Sequence, residues 1–199
     1  MFIGVVQGIG TVRETAPNLL IEIDASVAAD IEVGSHIAAN GRVLRVLSKD
    51  THLDKSGRKC SQLKFYASNM NHAKGYSQDG NVNIEKAVRL GDEIPGVFFY
   101  GIPTAQCAIV SMESMQEKLL MKVSFESDIA DYLSVMDQVC IDGALMQVFD
   151  VDKRIFSFNI YSSTLESTNL RDRRLGDNLN FEVDPFTLKI ARVLKKMQR

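Results

Sequence analysis

The chain has 199 residues, 45% of them hydrophobic, and its 23 basic residues stand against 25 acidic ones for a net charge of −2. That length suits one large domain or two small ones, and the composition is that of neither a disordered chain nor a membrane protein. A near-neutral balance gives no general electrostatic reason to bind nucleic acid or an anionic membrane surface.

The opening run Met1-Phe2-Ile3-Gly4-Val5-Val6-Gln7-Gly8 has no basic leader and no long apolar stretch, and nothing later approaches the ~18 consecutive apolar residues of a membrane span. A cytoplasmic protein is the expectation. Cys60, Cys107 and Cys140 are odd in number, far apart and without CxxC spacing, so reduced thiols are expected. His36, His52 and His72 are scattered with no metal-ligand spacing, and no metal site is expected.

Along the chain, period-two alternation dominates. Leu20-Ile21-Glu22-Ile23 is the first clear strand pattern, followed by Ala39-Asn40-Gly41-Arg42-Val43-Leu44 and a polar hairpin tip from Asp50 to Lys59. After Phe65 the chain reaches Gly80 through Ala67-Ser68-Asn69-Met70-Asn71-His72, then Val82-Asn83-Ile84-Glu85. Leu119, Met121, Val123 and Phe125 alternate with polar or outward positions, as do Phe156, Phe158 and Ile160, and Leu179, Phe181 and Val183. Each run suits a strand with one face in a core, and turn residues recur at the spacing of short strands in a barrel.

The order of landmarks repeats. Val82-Asn83-Ile84-Glu85 is echoed by Leu179-Asn180-Phe181-Glu182 at an offset of 97, and Gly4 by Gly101 at the same offset. Asn40-Gly41 is echoed by Asp142-Gly143 at an offset of 102. A tandem duplication is expected, with its boundary near residues 90–98. The copies differ after their third long strand: the second contains Thr164-Leu165-Glu166-Ser167-Thr168-Asn169-Leu170, a short helix, whereas the first is a few residues shorter at 67–72, so its helix is expected to be stunted. In the tail, Ile190, Val193, Leu194 and Met197 fall on one helical stripe behind Asp184-Pro185. That stripe either docks on its own barrel or forms a seam with other copies of the chain.

The opening Met1 to Gly8, with Asn40-Gly41, Val82-Asn83-Ile84-Glu85, Arg89-Leu90-Gly91-Asp92-Glu93, Ile141-Asp142-Gly143, Thr164-Leu165-Glu166-Ser167-Thr168, Gly176-Asp177, Asn180-Phe181-Glu182 and Asp184, resembles the riboflavin synthase family, which includes lumazine protein. The resemblance runs through the whole chain in order. It implies an all-β fold of two tandem Greek-key, six-stranded-type barrels, at 1–93 and 94–185, and a C-terminal α-helix at 186–199 that helps build a homotrimer. Active members of the family dismutate two molecules of 6,7-dimethyl-8-ribityllumazine to riboflavin and a pyrimidinedione, without metal or organic cofactor. Lumazine protein keeps the fold and binds a lumazine or a flavin without turning it over.

Against that family pattern this chain departs at the chemistry. The family's usual cysteine and threonine after the first Asn-Gly are here Val43 and Arg45, and the serine and threonine of the second copy are Leu145 and Gln147. Two histidine places between the barrels hold Val97 and Ile102, and a lysine place holds Met136. Each acid–base group is worth ~10²–10⁴ in rate. No catalytic residue is therefore assigned, and the expectation is a catalytically impaired member that binds a lumazine, riboflavin or FMN. A working synthase with a divergent site and a ligand-free trimeric scaffold are the alternatives. The resemblance places ligand contacts at Gly4, Val5, Val6, Gly101, Ser162, Ser163, Thr164, Leu165, Glu166 and Asp184. Beside this stands a plainer reading, in which Thr164 and Thr168 cap a short helix and the glycines serve backbone geometry. The charged turn Arg171-Asp172-Arg173-Arg174 is expected to be solvated.

Overall fold

The computed structural model describes residues 1–66, 76–94 and 96–197. The first half forms β1 (Gly8–Glu14), β2 (Asn18–Asp24), β3 (His36–Ala39), β4 (Arg42–Leu53), β5 (Lys59–Tyr66) and β6 (Asn81–Lys86). These close into a barrel in the order β1-β2-β5-β4-β3-β6, a Greek-key arrangement in which β2 neighbours β5 rather than β3. The second half forms β7 (Ala105–Ser114), β8 (Lys118–Ser124), β9 (Gln138–Ile141), β10 (Ala144–Gln147), β11 (Asp150–Asp152), β12 (Ile155–Tyr161) and β13 (Asn178–Val183), in the order β10-β9-β13-β7-β8-β12-β11.

The two orders are the same once β10 and β11 are joined into the counterpart of β4. In the first barrel this long strand shifts register against β5 between Val46 and Ser48, and the Val46 N–H turns to donate to the Ser35 carbonyl. In the second, the Val148 N–H donates to Asp137 and the Phe149 N–H to Ser157. A bulge that bends one strand has become a break between two. The second sheet is thus seven short strands instead of six.

Alternation in sequence becomes alternation in burial. Leu19, Ile21 and Ile23 of β2 and Leu119, Met121 and Val123 of β8 point into their respective cores. The second core is the more aromatic, with Phe125 stacked on Phe181 at 4.0 Å between ring centroids and Phe156 and Phe158 alongside. Cys60, Cys107 and Cys140 are buried thiols. The alternation fails in one informative way. Asn83 and Glu85 on β6, and Asn180 and Glu182 on β13, face outward yet are buried, because each barrel covers that face of the other.

Two expectations about loops are narrowed. The polar tip expected from Asp50 to Lys59 is half strand, and its turn is confined to residues 54–58, where one Asp54 carboxylate oxygen accepts the Ser56 and Arg58 N–H groups. The stunted helix expected at 67–72 lies outside the described residues.

Two α-helices are described, α1 (Ser162–Ser167) and α2 (Pro185–Met197). Asp184 caps α2, with one carboxylate oxygen accepting the Phe186 N–H at 2.9 Å and the Thr187 N–H at 3.0 Å. The helix rests on the second barrel through Leu188, the buried Ala191, and Lys195, whose ammonium pairs with Asp128. The stripe Ile190, Val193, Leu194 and Met197 faces away from its own barrel, 41–78% exposed. Of the two readings of that stripe, docking on its own barrel is not what this fold does. No described helix is long and apolar enough to cross a membrane.

Candidate ligand-binding site

The barrels meet across matching turns. Asn40 and Asp142 both adopt positive φ (45° and 46°), followed by Gly41 and Gly143 (71° and 80°). Asn40 Oδ1 accepts from the Asn83 N–H and Asp142 Oδ1 from the Asn180 N–H, each at 2.8 Å. The amides then cross over: Asn83 Nδ2 donates to the Asp142 carbonyl at 2.9 Å and Asn180 Nδ2 to the Asn40 carbonyl at 2.8 Å. Asn169 adds its own bridge, donating its N–H to Asn83 Oδ1 and its amide to Asn40 Oδ1. The turn expected to be solvated contributes Arg173, which reaches in to the buried Asp142 carboxylate. Its neighbours Arg171 and Arg174 are exposed, as expected.

The segments leading into each barrel also cross. Phe2 and Phe99 exchange both backbone hydrogen bonds, at 3.0 and 2.8 Å. Just beyond them, Gly4 and Gly101 lie on the opposite barrel's edge. β4 pairs with β5 only from Val46 onward, so its first residues have an open edge, and the Val43 N–H donates to the Gly101 carbonyl at 2.8 Å. β10 has the same open edge, and the Leu145 N–H donates to the Gly4 carbonyl at 2.8 Å. An unpaired strand edge is thus covered in each barrel by the other's leader.

A carboxylate holds each leader from its own barrel. Glu85 Oε1 accepts the N–H groups of Ile3 (2.7 Å) and Gly4 (3.0 Å), and Glu182 Oε1 those of Tyr100 (2.9 Å) and Ile102 (3.1 Å). Burial pushes the Glu85 carboxyl up to about 7, and the nearby Glu182 adds to that, against the N–H groups that favour its ionised form. Burial raises Glu182 as well, opposed by its own N–H donors. Cys140 lies beneath both, and its thiol is pushed well above the ordinary range, first by burial and then by these two carboxylates.

The ten candidate contacts therefore do not form one cluster. Gly4, Val5 and Val6 lie against the second barrel, where Val6 and Leu165 both pack on its core and Leu145 and Gln147 face outward from β10. Ser162, Ser163, Thr164, Leu165 and Glu166 make up α1, which follows directly on β12 of that barrel. The side chains of Thr164 and Leu165 are half-buried and those of Ser162, Ser163 and Glu166 exposed. Gly101 goes to the other side, against Val43 of the first barrel. Asp184 is engaged as the α2 cap, and Thr168 holds the end of α1 by donating to the Thr164 carbonyl at 2.7 Å.

Two concavities open beside the crossed leaders. One of about 790 Å³ runs along Ile3, Val5, Gln7, Lys86 and Arg89, and one of about 570 Å³ along Tyr100, Ile102, Glu182, Phe186 and Arg192. Both are of a size suited to a small molecule. Neither is lined by α1. Both Gly4 backbone groups are engaged, its N–H by Glu85 and its carbonyl by Leu145, so the hydrogen-bonding groups left on the second barrel's side are the Val5 and Val6 backbone, the exposed Gln147 amide and the hydroxyls of α1. Val43 and Leu145, which pack on the crossed glycines, can neither take nor give a proton, and the carboxyls that stand there, Glu85 and Glu182, are engaged by the leader N–H groups. Among the described residues, no three His, Cys, Asp or Glu side chains stand together to hold a metal.

Glu85 and Glu182 were not among the expected site residues, although the signal was present. Each pair, Gly4 with Gly101 and Glu85 with Glu182, is separated by 97 residues, so glycine and carboxylate recur as one unit.

The fold is a double β-barrel with crossed leaders, and residues 101–184 match the model of the lumazine binding domain. The riboflavin synthase of Brucella abortus (strain 2308) is 24% identical over 97% of this chain and 98% of its own length. That of Escherichia coli (strain K12) is 26% identical over 99% and 93%. The crystal structure of LumP complexed with riboflavin has the same fold, with a TM-score of 0.75 at 17% identity, over 92% of this chain and 99% of that one. The chain is thus similar over nearly its whole length to riboflavin synthases, and its second half matches the lumazine binding domain.

Proposed function

We propose that this protein binds a lumazine or a flavin on its second-barrel face and does not dismutate 6,7-dimethyl-8-ribityllumazine at an enzymatic rate. The observation that carries this reading is the contrast at the crossed glycines. The leader is fixed in place, with the Gly4 carbonyl bonded to Leu145 and its N–H to Glu85, and this sets the backbone of Val5 and Val6 toward the ligand face. The side chains packed on the crossed glycines, Val43 and Leu145, are aliphatic, and the Glu85 and Glu182 carboxyls are taken up in holding the leaders. Main-chain groups hold a pteridine edge whatever the neighbouring side chain is. Abstracting a ring-methyl proton and adding a nucleophile both require a side chain that titrates or attacks. The match of residues 101–184 to the lumazine binding domain supports placing the ligand on the second copy.

In this reading Gly4, Val5 and Val6 supply backbone contacts, Ser162, Ser163, Thr164 and Glu166 orient the ligand's polar substituents, and Leu165 packs against it. Gly101 serves the corresponding face of the first barrel, and Asp184 acts through α2. The organisation we propose is 1–93 and 94–185 as the two barrel units and 186–199 as an assembly element. Three copies meet through the exposed stripe of α2, and neither metal nor organic cofactor is required. Fluorescence titration with riboflavin tests binding directly, since the chain has no Trp to obscure ligand emission.

An active synthase is the second reading, favoured by matches that span nearly the full length of both this chain and curated riboflavin synthases. Riboflavin formation from the lumazine separates the two.

A further inference from the structure

We infer that Glu85 and Glu182 are crossed positioning residues, each sitting in one barrel and fixing the backbone that completes the ligand face of the other. Glu85 lies on β6 of the first barrel, yet the Gly4 N–H it accepts belongs to the residue whose carbonyl takes the Leu145 N–H of the second barrel. Glu182 on β13 of the second barrel holds Tyr100 and Ile102, which bracket the Gly101 carbonyl bonded to Val43 of the first. No other side chain among the described residues bonds to the N–H groups of Ile3, Gly4, Tyr100 or Ile102.

The fit leaves little slack. A Cβ on Gly4 would stand 2.7 Å from the Leu145 Cβ and 2.9 Å from the Cys140 sulfur. One on Gly101 would stand 2.9 Å from the Phe2 ring and 3.0 Å from the Val43 Cβ. Each leader is therefore pinned from one side by packing and from the other by a carboxyl oxygen accepting two N–H groups. Where that oxygen sits decides the direction of the Val5 and Val6 backbone, and so the shape of the second-barrel face. The control is reciprocal: the second-barrel face depends on Glu85 and the first-barrel face on Glu182. The consequence for ligand binding rests on the function proposed above, whereas the crossed linkage itself does not.

The test uses the full chain, isotope-labelled, with Glu85→Gln, Glu85→Ala, Glu182→Gln and Glu182→Ala. Hydrogen exchange of the Leu145 and Val43 amides is read by NMR, and riboflavin is titrated in parallel. Local exchange reports local opening. Glu85→Ala is expected to speed exchange at Leu145 about tenfold or more and to leave Val43 within about twofold, the loss expected for about one hydrogen bond. Glu182→Ala is expected to do the reverse. The Gln variants, whose carbonyl oxygen still accepts both N–H groups, are expected to stay near wild type at both amides. Riboflavin binding should weaken about tenfold in Glu85→Ala, recover in Glu85→Gln and change little in Glu182→Ala. Where an alanine variant does not fold, the aspartate variant at the same position, which withdraws the oxygen by one methylene, must give the same crossed pattern. Equal acceleration of both amides by either variant, or an unchanged Leu145 amide in Glu85→Ala or Glu85→Asp, overturns the inference. A wild-type chain that does not bind riboflavin counts against the proposed ligand and leaves the exchange pattern to decide the linkage.

Discussion

Gly41 and Gly143 meet backbone to backbone at the junction of the two barrels. A Cβ on Gly41 would come within 2.9 Å of the Gly143 nitrogen, and one on Gly143 within 2.7 Å of the Gly41 nitrogen. Both residues are in the left-handed region, so a side chain there is strained twice, by its own backbone and by its neighbour's. Gly41→Ala or Gly143→Ala is expected to destabilise the protein by roughly 2–4 kcal/mol, the sum of a left-handed penalty and overpacking. The double variant should cost less than the two single costs combined, because the clash is shared. Urea unfolding checks this, and a single-variant cost below about 1 kcal/mol would contradict the contact.

The buried carboxyls make stability depend on pH in a defined direction. Glu85 is raised from its ordinary 4.5 to about 7 by burial, so between these values the folded state holds a proton that the unfolded state has released. Its contribution is complete below pH 4.5 and is lost as the pH rises through 7. Glu182, also raised by burial, acts with the same sign. Unfolding free energy is expected to fall across that window, by up to about 3 kcal/mol from Glu85. In Glu85→Gln the slope should flatten. A Glu85→Gln profile parallel to wild type from pH 4.5 to 8 would refute the assignment.

Arg173 and Asp142 break the symmetry of the junction, since the first copy has the neutral Asn40 where the second has Asp142. Burial pushes the Asp142 carboxyl up, while the Arg173 guanidinium and the Asn180 N–H pull against it. Arg173→Met leaves that carboxyl buried without its partner and should cost roughly 2–4 kcal/mol. Adding Asp142→Asn, which copies Asn40, should recover most of the loss. Chemical denaturation of the single and double variants decides it.

The sequence made the two barrels legible because repeat order and period-two burial are local signals that one chain carries in full. Leu119 to Phe125 and Leu179 to Val183 read correctly for that reason. What the sequence could not show was which copy each leader serves. Gly4 and Gly101 look equivalent in sequence, but the open edges of β4 and β10 send them to opposite barrels. The same long-range geometry turned Arg173 inward from a turn that reads as solvated, whereas the Asp184 cap is a local contact in keeping with Asp184-Pro185 as a helix start. The break at Val148 and Phe149 was hidden because the corresponding residues in the first barrel, Val46 and Leu47, form a bulge within a continuous strand.

Ile190, Val193, Leu194 and Met197 leave an apolar stripe on α2 that no described residue of the chain covers. If three copies pack through it, light scattering coupled to size exclusion should give a trimer at micromolar concentration. Leu194→Glu, which puts an unpaired charge into that seam, should then give a folded monomer. A wild-type monomer would contradict this assembly.

The most direct test of binding without turnover is to incubate the purified protein with 6,7-dimethyl-8-ribityllumazine and follow ligand fluorescence and riboflavin formation together. The expected result is a saturable change in lumazine emission, with riboflavin formed at least ~10³-fold more slowly than by an active synthase assayed alongside. Riboflavin accumulating at a comparable rate, or lumazine emission unchanged at saturating protein, would contradict the account.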